Sequence, residues 1–193
     1  MNFIINNLAN ILTVTRLLLL PVLIALFFME QSWGGYAVWA CLFVYIVCSV
    51  TDFFDGYIAR KLNQITDFGT FLDPISDKIF VASVLILLVA FERITGVWII
   101  LVIIIFAREF LISGLREFLG PKNIKMPVSL LAKWKTTAQM LSLGFLILGN
   151  AYAPYTTELG LALLSLATLL TVITGMSYMT VGIAHLREQK DDI

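Results

Sequence analysis

Charge, cysteine and histidine are all scarce in this 193-residue chain. Lys and Arg number 13, Asp and Glu number 13, and together they make up 13% of the residues. The two signs cancel, so net charge selects no partner, and nothing in it points to a nucleic acid. The two cysteines, Cys41 and Cys48, stand seven apart on roughly one helix face within an apolar run. They read as small buried residues rather than a disulfide. The one histidine, His185, follows the last apolar run, where it reads as a capping or interfacial residue. Neither a zinc-type Cys/His set nor a nucleophile–histidine pair is present, and no Gly-rich loop is placed to cradle a phosphate. Without repeat, linker or low-complexity stretch, the chain reads as one domain over residues 1–193. The start lacks a basic n-region and a small-residue cleavage site, so it reads as a retained membrane segment rather than a signal peptide.

What the chain has in excess is apolar length. It is 60% hydrophobic, with a mean hydropathy of +0.93, far from an ordinary globular domain. The expected fold is an all-α integral membrane bundle of six spans. Residues 1–10 form a short interfacial lead-in. The spans are expected at residues 11–29, 36–60, 69–91, 97–119, 128–151 and 159–185, each near or above the roughly 20 residues that cross a bilayer. Pro21 marks a kink in the first. Turns are expected at 30–35, 61–67, 92–96, 120–127 and 153–158, and a charged tail follows the last span. Trp33, Trp39, Trp98 and Trp134 lie near span ends and read as interface anchors. Arg16, Arg60, Lys61, Arg116, Lys122, Lys125, Lys133, Lys135, Arg187 and Lys190 fall at one set of ends, and Arg93 alone falls in the opposite turns. The excess of positive charge places both termini in the cytoplasm of a multi-pass protein of the cell membrane.

One stretch breaks the apolar pattern. Residues 51–78 read TDFFDGYIARKLNQITDFGTFLDPISDK and place Asp52, Asp55, Asp73 and Asp77 between two apolar runs. Ionised groups in hydrocarbon are costly, so a carboxylate cluster there is a functional-site hypothesis by default. Asp52 and Asp55 are i, i+3 and Asp73 and Asp77 are i, i+4, so each pair shares a helix face. A purely structural hairpin would pair these acids with Arg60 and Lys78, leaving two cations against four acids. Four like charges brought together repel unless cations offset them, and all-oxygen donors suit magnesium or manganese.

The pattern Asp52-x2-Asp55-Gly56-x2-Ala59-Arg60-x8-Gly69-x3-Asp73-x3-Asp77 resembles, at every specified position, the signature of the CDP-alcohol phosphatidyltransferases. That family displaces CMP from a CDP-linked lipid or alcohol with a hydroxyl nucleophile. The resemblance implies that Asp52, Asp55 and Asp73 are metal ligands. It implies that Asp77 is the general base on the acceptor hydroxyl and also touches metal. Two divalent ions, Mg2+ or Mn2+, would bridge the donor's pyrophosphate. Gly56 would let the donor approach the backbone, or else serve helix packing. Arg60 offers a planar fork to a phosphate. Gly69 belongs to the same signature, and Thr66 and Asp67, read as part of the adjoining loop, would touch the cytidine or ribose. The cytoplasmic ends of the second and third spans are where such a donor is met.

Arg108 and Arg116, with Glu109 beside them and Ser113 and Gly114 between, lie towards the cytoplasmic end of the fourth span, and Lys133 and Lys135 open the fifth. Four cations on neighbouring ends favour an anionic partner, with phosphate foremost. The bland alternative is snorkelling to lipid headgroups. Lys133 and Lys135 are two apart and share a face only if the helix starts between them. Three more stretches, Asn7–Arg16, Ala107–Arg116 and Ala132–Gln139, resemble the branch of the family whose acceptor is glycerol 3-phosphate. They bring Asn10, Thr13, Arg16 and Ser113 into the candidate set. In that branch a Pro commonly stands where Ala9 is here. The resemblance thus implies CDP-diacylglycerol as donor, glycerol 3-phosphate as acceptor, membrane lipids as surroundings and a homodimer. It covers residues 7–139 and leaves 159–193 without an assigned role. Two rivals stand beside it: the same chemistry on inositol phosphate, serine or phosphatidylglycerol, and a divalent-metal transporter, since carboxylates within spans also mark ion pathways.

Overall fold

The computed structural model describes residues 8–61, 67–120 and 130–191, with side chains at all of these except 8–12, 52–61, 67–68, 70, 181 and 183–191. Within that range the chain is all helix and turn. The helices are α1 (Leu8–Trp33), α2 (Gly35–Lys61), α3 (Asp67–Ala90), α4 (Ile99–Leu119), α5 (Leu130–Leu148) and α6 (Thr156–Asp191), with a 3-10 turn at Gly96–Trp98. Three segments are long and apolar enough to cross a membrane: Thr13–Trp33, Gly96–Leu119 and Thr156–Thr180. The other three helices carry charge at one end. In α2 the apolar part is Gly35–Thr51, ahead of Asp52, Asp55, Arg60 and Lys61. In α3 the first turns carry Asp67, Asp73, Asp77 and Lys78, and in α5 Lys133 and Lys135 lie near the start.

Several boundaries differ from expectation. α1 runs on through Glu30, Gln31, Ser32 and Trp33, where a turn was expected, because nothing there breaks a helix before Gly34. Gly34 adopts φ +55, the left-handed conformation that suits glycine at a helix C-terminus, and its N–H bonds the Glu30 carbonyl at 2.8 Å. Asp67, expected in a loop, is instead the first residue of α3, where a carboxylate suits the positive end of the helix dipole. The last helix reaches Asp191, so His185 stands inside it and the charged tail through Asp191 is helical; Leu, Arg, Glu, Gln and Lys are all good helix formers. α5 stops at Leu148, short of the expected 151, and α6 opens at Thr156. Residues 1–7 of the lead-in, Thr66, Lys122 and Lys125 lie outside the described residues.

The chain groups into two compact units: Met1–Arg93 with Leu143–Thr157, and Ile94–Ser142 with Glu158–Ile193. In the first, α1 packs along both α2 and α3. Its core is Leu23, Phe27, Cys41, Cys48, Val84, Leu85, Leu88, Leu143, Leu146 and Ile147, with the Tyr45 and Phe80 rings stacked at 5.7 Å. Cys41 and Cys48 are free, buried thiols. At one end of this unit α3 finishes with Glu92 at φ 58; Glu92 N–H bonds Val89 O at 3.1 Å and Arg93 N–H bonds Leu88 O at 2.8 Å. Arg93 then pairs with Glu30 of α1. Gly149, at φ +62, lies so close to Arg93 that a Cβ there would stand 2.5 Å from Nη1. In the second unit Val102, Ile105, Ile112 and Leu119 face inward from α4, and Leu164 and Ala167 from α6. Ser142 donates to Gly160 O at 2.7 Å, joining α5 to α6. Leu18, Phe43, Phe110 and Leu130, by contrast, are mostly exposed, as a coat facing hydrocarbon requires.

Candidate active site

In the first unit the acids of α3 meet donors from α1. Asp73 and Asp77 are one turn apart, so they lie on one face of α3. Thr13 and Arg16 are i, i+3 on α1 and lie on one face of that helix. The two faces meet: Thr13 Oγ1 donates to Asp73 Oδ1 at 2.5 Å, and Arg16 pairs through Nη1 with Asp77 Oδ1. Thr13 and Arg16 are 1% and 2% exposed, whereas the Asp77 side chain is 47% exposed. The acid therefore keeps a face towards its surroundings while the cation that holds it is enclosed. Asp77 is met by Arg16, a residue outside the Arg60 and Lys78 of a purely structural hairpin. Pro74, between the two acids, has no N–H for the carbonyl four residues back, which loosens the turn that carries Asp73. Ser76 is fully buried, and its hydroxyl has no hydrogen-bond partner among the described residues.

Asp52, Asp55, Gly56 and Arg60 all fall on the helical backbone of α2, where Asp52 and Asp55 are i, i+3. Their side chains are outside those described, as are those of Asn10 and Asp67. Gly69 is buried in the first turn of α3. The described donors fit a hard divalent cation in kind: Asp73 and Asp77 offer carboxylate oxygens on a shared face, and Thr13 and Arg16 orient them from behind. Among the described residues no group of three such ligands is gathered; Asp52 and Asp55 would have to complete the set.

The second unit holds the basic residues, Arg108 and Lys135 mostly buried and Arg116 and Lys133 exposed. Arg108 is mostly buried on α4, and Nη1 donates to Glu109 Oε1 at 3.1 Å. Lys135, buried on α5, donates from Nζ to the same Glu109 oxygen at 2.5 Å. One carboxylate thus bridges two cations, leaving the trio with a net positive charge. Lys133 is exposed, because α5 has already begun and residues two apart point to different faces. Arg116 is exposed in the last turn of α4, where it complements the negative end of the helix dipole. Ser113 is half-buried on the same helix. The bridging role of Glu109 was not legible beforehand, although its position beside Arg108 was the available signal.

The family model described as CDP-alcohol phosphatidyltransferase matches residues 6–185. A CDP-diacylglycerol–glycerol-3-phosphate 3-phosphatidyltransferase of Rickettsia typhi is 46% identical, over 89% of this chain and 94% of its own length. Proteins of the same name from Cereibacter sphaeroides and Shigella flexneri are 37% and 36% identical; each alignment covers 95% of this chain, and 99% and 98% of the relatives.

Proposed function

Since the chain belongs to the CDP-alcohol phosphatidyltransferase family, we propose that it transfers the phosphatidyl group of CDP-diacylglycerol to glycerol 3-phosphate, giving phosphatidylglycerophosphate and CMP. The names of its relatives support the donor and the acceptor. The observation that supports the chemistry most is the meeting of Asp73 and Asp77 with Thr13 and Arg16. A divalent cation held by Asp52, Asp55, Asp73 and Asp77 would supply charge neutralisation at the pyrophosphate. Asp77 takes the proton of the acceptor's primary hydroxyl at a carboxylate oxygen as that oxygen bonds to the lipid-linked phosphorus. The bond from that phosphorus to the CMP oxygen breaks, and CMP leaves. Arg16 holds Asp77 in one orientation through the step. Gly56, Arg60, Gly69, Thr66 and Asp67 serve the donor. Arg108 and Lys135, with Arg116 and Lys133 further out, serve the acceptor's phosphate, for which Glu109 holds the first two cations ready.

The test is CMP release from CDP-diacylglycerol against a panel of glycerol 3-phosphate, inositol phosphate, serine and phosphatidylglycerol. Glycerol 3-phosphate is the expected acceptor. Arg108→Ala and Lys135→Ala should each raise its KM about ten- to a hundredfold, the worth of a hydrogen bond to a charged group. Equal turnover with an acceptor lacking a phosphate, or a rise confined to the KM for CDP-diacylglycerol, would overturn the acceptor assignment. Metal uptake by vesicles without CMP formation would instead favour a transporter.

The same reading places six spans in the cell membrane, both termini and the aspartates on the cytoplasmic side, and two copies in a homodimer. The distribution of Lys and Arg supports the orientation. Single cysteines introduced at Lys122 and Lys190 should react only with reagent added from the cytoplasmic side; labelling from the outside would reverse the topology.

A further inference from the structure

The last helix received no role from sequence, yet it carries a stripe of buried polar and small residues. Thr171, Thr174, Gly175 and Tyr178 stand at i, i+3, i+4 and i+7, and all four are buried. Arg108 of α4 lies against this stripe at three points. Its Nη2 donates to Thr174 Oγ1 at 3.4 Å. Its guanidinium carbon is 5.9 Å from the centre of the Tyr178 ring. A Cβ at Gly175 would stand 3.1 Å from its Cγ, so glycine there admits the arginine's stem. Two turns beyond Gly175, Gly182 receives Leu115 of α4, where a Cβ would meet the leucine's methyls at 2.8 and 2.9 Å. The stripe therefore seats α4 at two levels, and Arg108 occupies one of them.

Packing alone does not explain the arginine. Nη1 bonds Glu109 and Nη2 bonds Thr174, but Nε is buried and has no hydrogen-bond partner among the described residues. The Thr171 hydroxyl, on the same stripe, is also buried with no hydrogen-bond partner among them. A guanidinium recognises phosphate with a planar fork of donors, and such a fork works only if its plane is fixed in advance. A hydroxyl on one nitrogen, a ring against the guanidinium and a side-chain-free notch for the stem fix that plane. We propose that Thr174, Gly175 and Tyr178 of α6 are positioning residues for the acceptor's phosphate, acting through Arg108, a role that rests on the acceptor function given to Arg108 above. The final helix thereby takes part in choosing a phosphorylated acceptor.

The experiment uses the full-length enzyme, with the KM for glycerol 3-phosphate and for CDP-diacylglycerol measured separately. Thr174→Val removes only the hydroxyl, and Tyr178→Leu removes the ring. Each should raise the acceptor KM about three- to tenfold, the order of one modest hydrogen bond or one cation–π contact, with kcat and the donor KM unmoved. Thr174→Ser and Tyr178→Phe, which restore the hydroxyl and the ring, should recover the acceptor KM. Thr168→Val is the control, because Thr168 is buried on the same helix with its hydroxyl bonded to Leu164 O at 2.8 Å. A lower melting temperature with an unchanged acceptor KM in both Thr174→Val and Tyr178→Leu would overturn the proposal, as would parallel rises in both KM values. Arg108→Ala separates the two levels. If it raises the acceptor KM and the α6 variants do not, only the positioning role is lost. If it too leaves that KM unchanged, the acceptor function of Arg108 itself is wrong.

Discussion

Asp77→Asn should lower kcat for CMP release by about 10²–10⁴-fold, the usual worth of a general base, and leave both KM values close to those of the unaltered enzyme. The geometry makes this substitution informative. Asp77 Oδ1 accepts from Arg16, and an asparagine carbonyl can still accept there, so the contact between α1 and α3 keeps its shape. What the amide cannot do is take up a proton or offer a charge to the cation, so the kinetics are read at saturating Mg2+ or Mn2+. Removing one partner of a buried ion pair costs about 3–5 kcal/mol, but Asp77 is 47% exposed and the amide retains a hydrogen bond, so the loss in stability should be well below that range. A melting curve run beside the kinetics separates the two effects. Should kcat survive while the acceptor KM climbs, Asp77 binds the acceptor and the base lies elsewhere.

Removal of divalent cations should abolish turnover, and added Mg2+ or Mn2+ should restore it. Asp52→Asn, Asp55→Asn and Asp73→Asn each remove a charge that offsets the cation, so each should raise the metal concentration required. Asp73 has a further handle. Its Oδ1 accepts from the buried Thr13 hydroxyl at 2.5 Å, and groups that orient a ligand in this way are typically worth about 10–100-fold in metal affinity. Thr13→Val should therefore weaken binding within that range while leaving every carboxylate in place. Titration calorimetry with Mn2+ reads the affinity directly, without recourse to activity. Full activity in chelator would remove the metal from this account, and wild-type metal affinity in Asp73→Asn would remove Asp73 from its ligands.

Much of the site is legible in local sequence pattern. Asp73 and Asp77 are one helical turn apart, and that spacing alone puts them on one face. Lys133 and Lys135 are two apart, and with α5 begun by Leu130 that spacing puts them on different faces. Partners distant in the chain were not legible. Thr13 and Arg16 were candidates, but nothing local says that they meet residues 60 and 61 positions away. The α6 stripe was hidden differently. Its threonines, glycine and tyrosine are interspersed with leucine, isoleucine and methionine, which masks polar positions that recur with helical period. Helix ends were misjudged where polarity stood in for a breaker. Glu30 and Gln31 looked like a turn, yet the helix yields only at Gly34.

The ion pair between Arg16 and Asp77 also bears on how the protein is made. The two residues are 61 positions apart, and chains grow at about 5–20 residues per second, so Arg16 precedes its carboxylate by several seconds. A lone arginine within an apolar segment is costly in a bilayer. During that interval α1 has every reason to keep Arg16 near the headgroups, where its stem reaches water. On this account α1 settles at its final depth only once α3 has followed it, so the pairing of Arg16 with Asp77 would also order the assembly of these two helices.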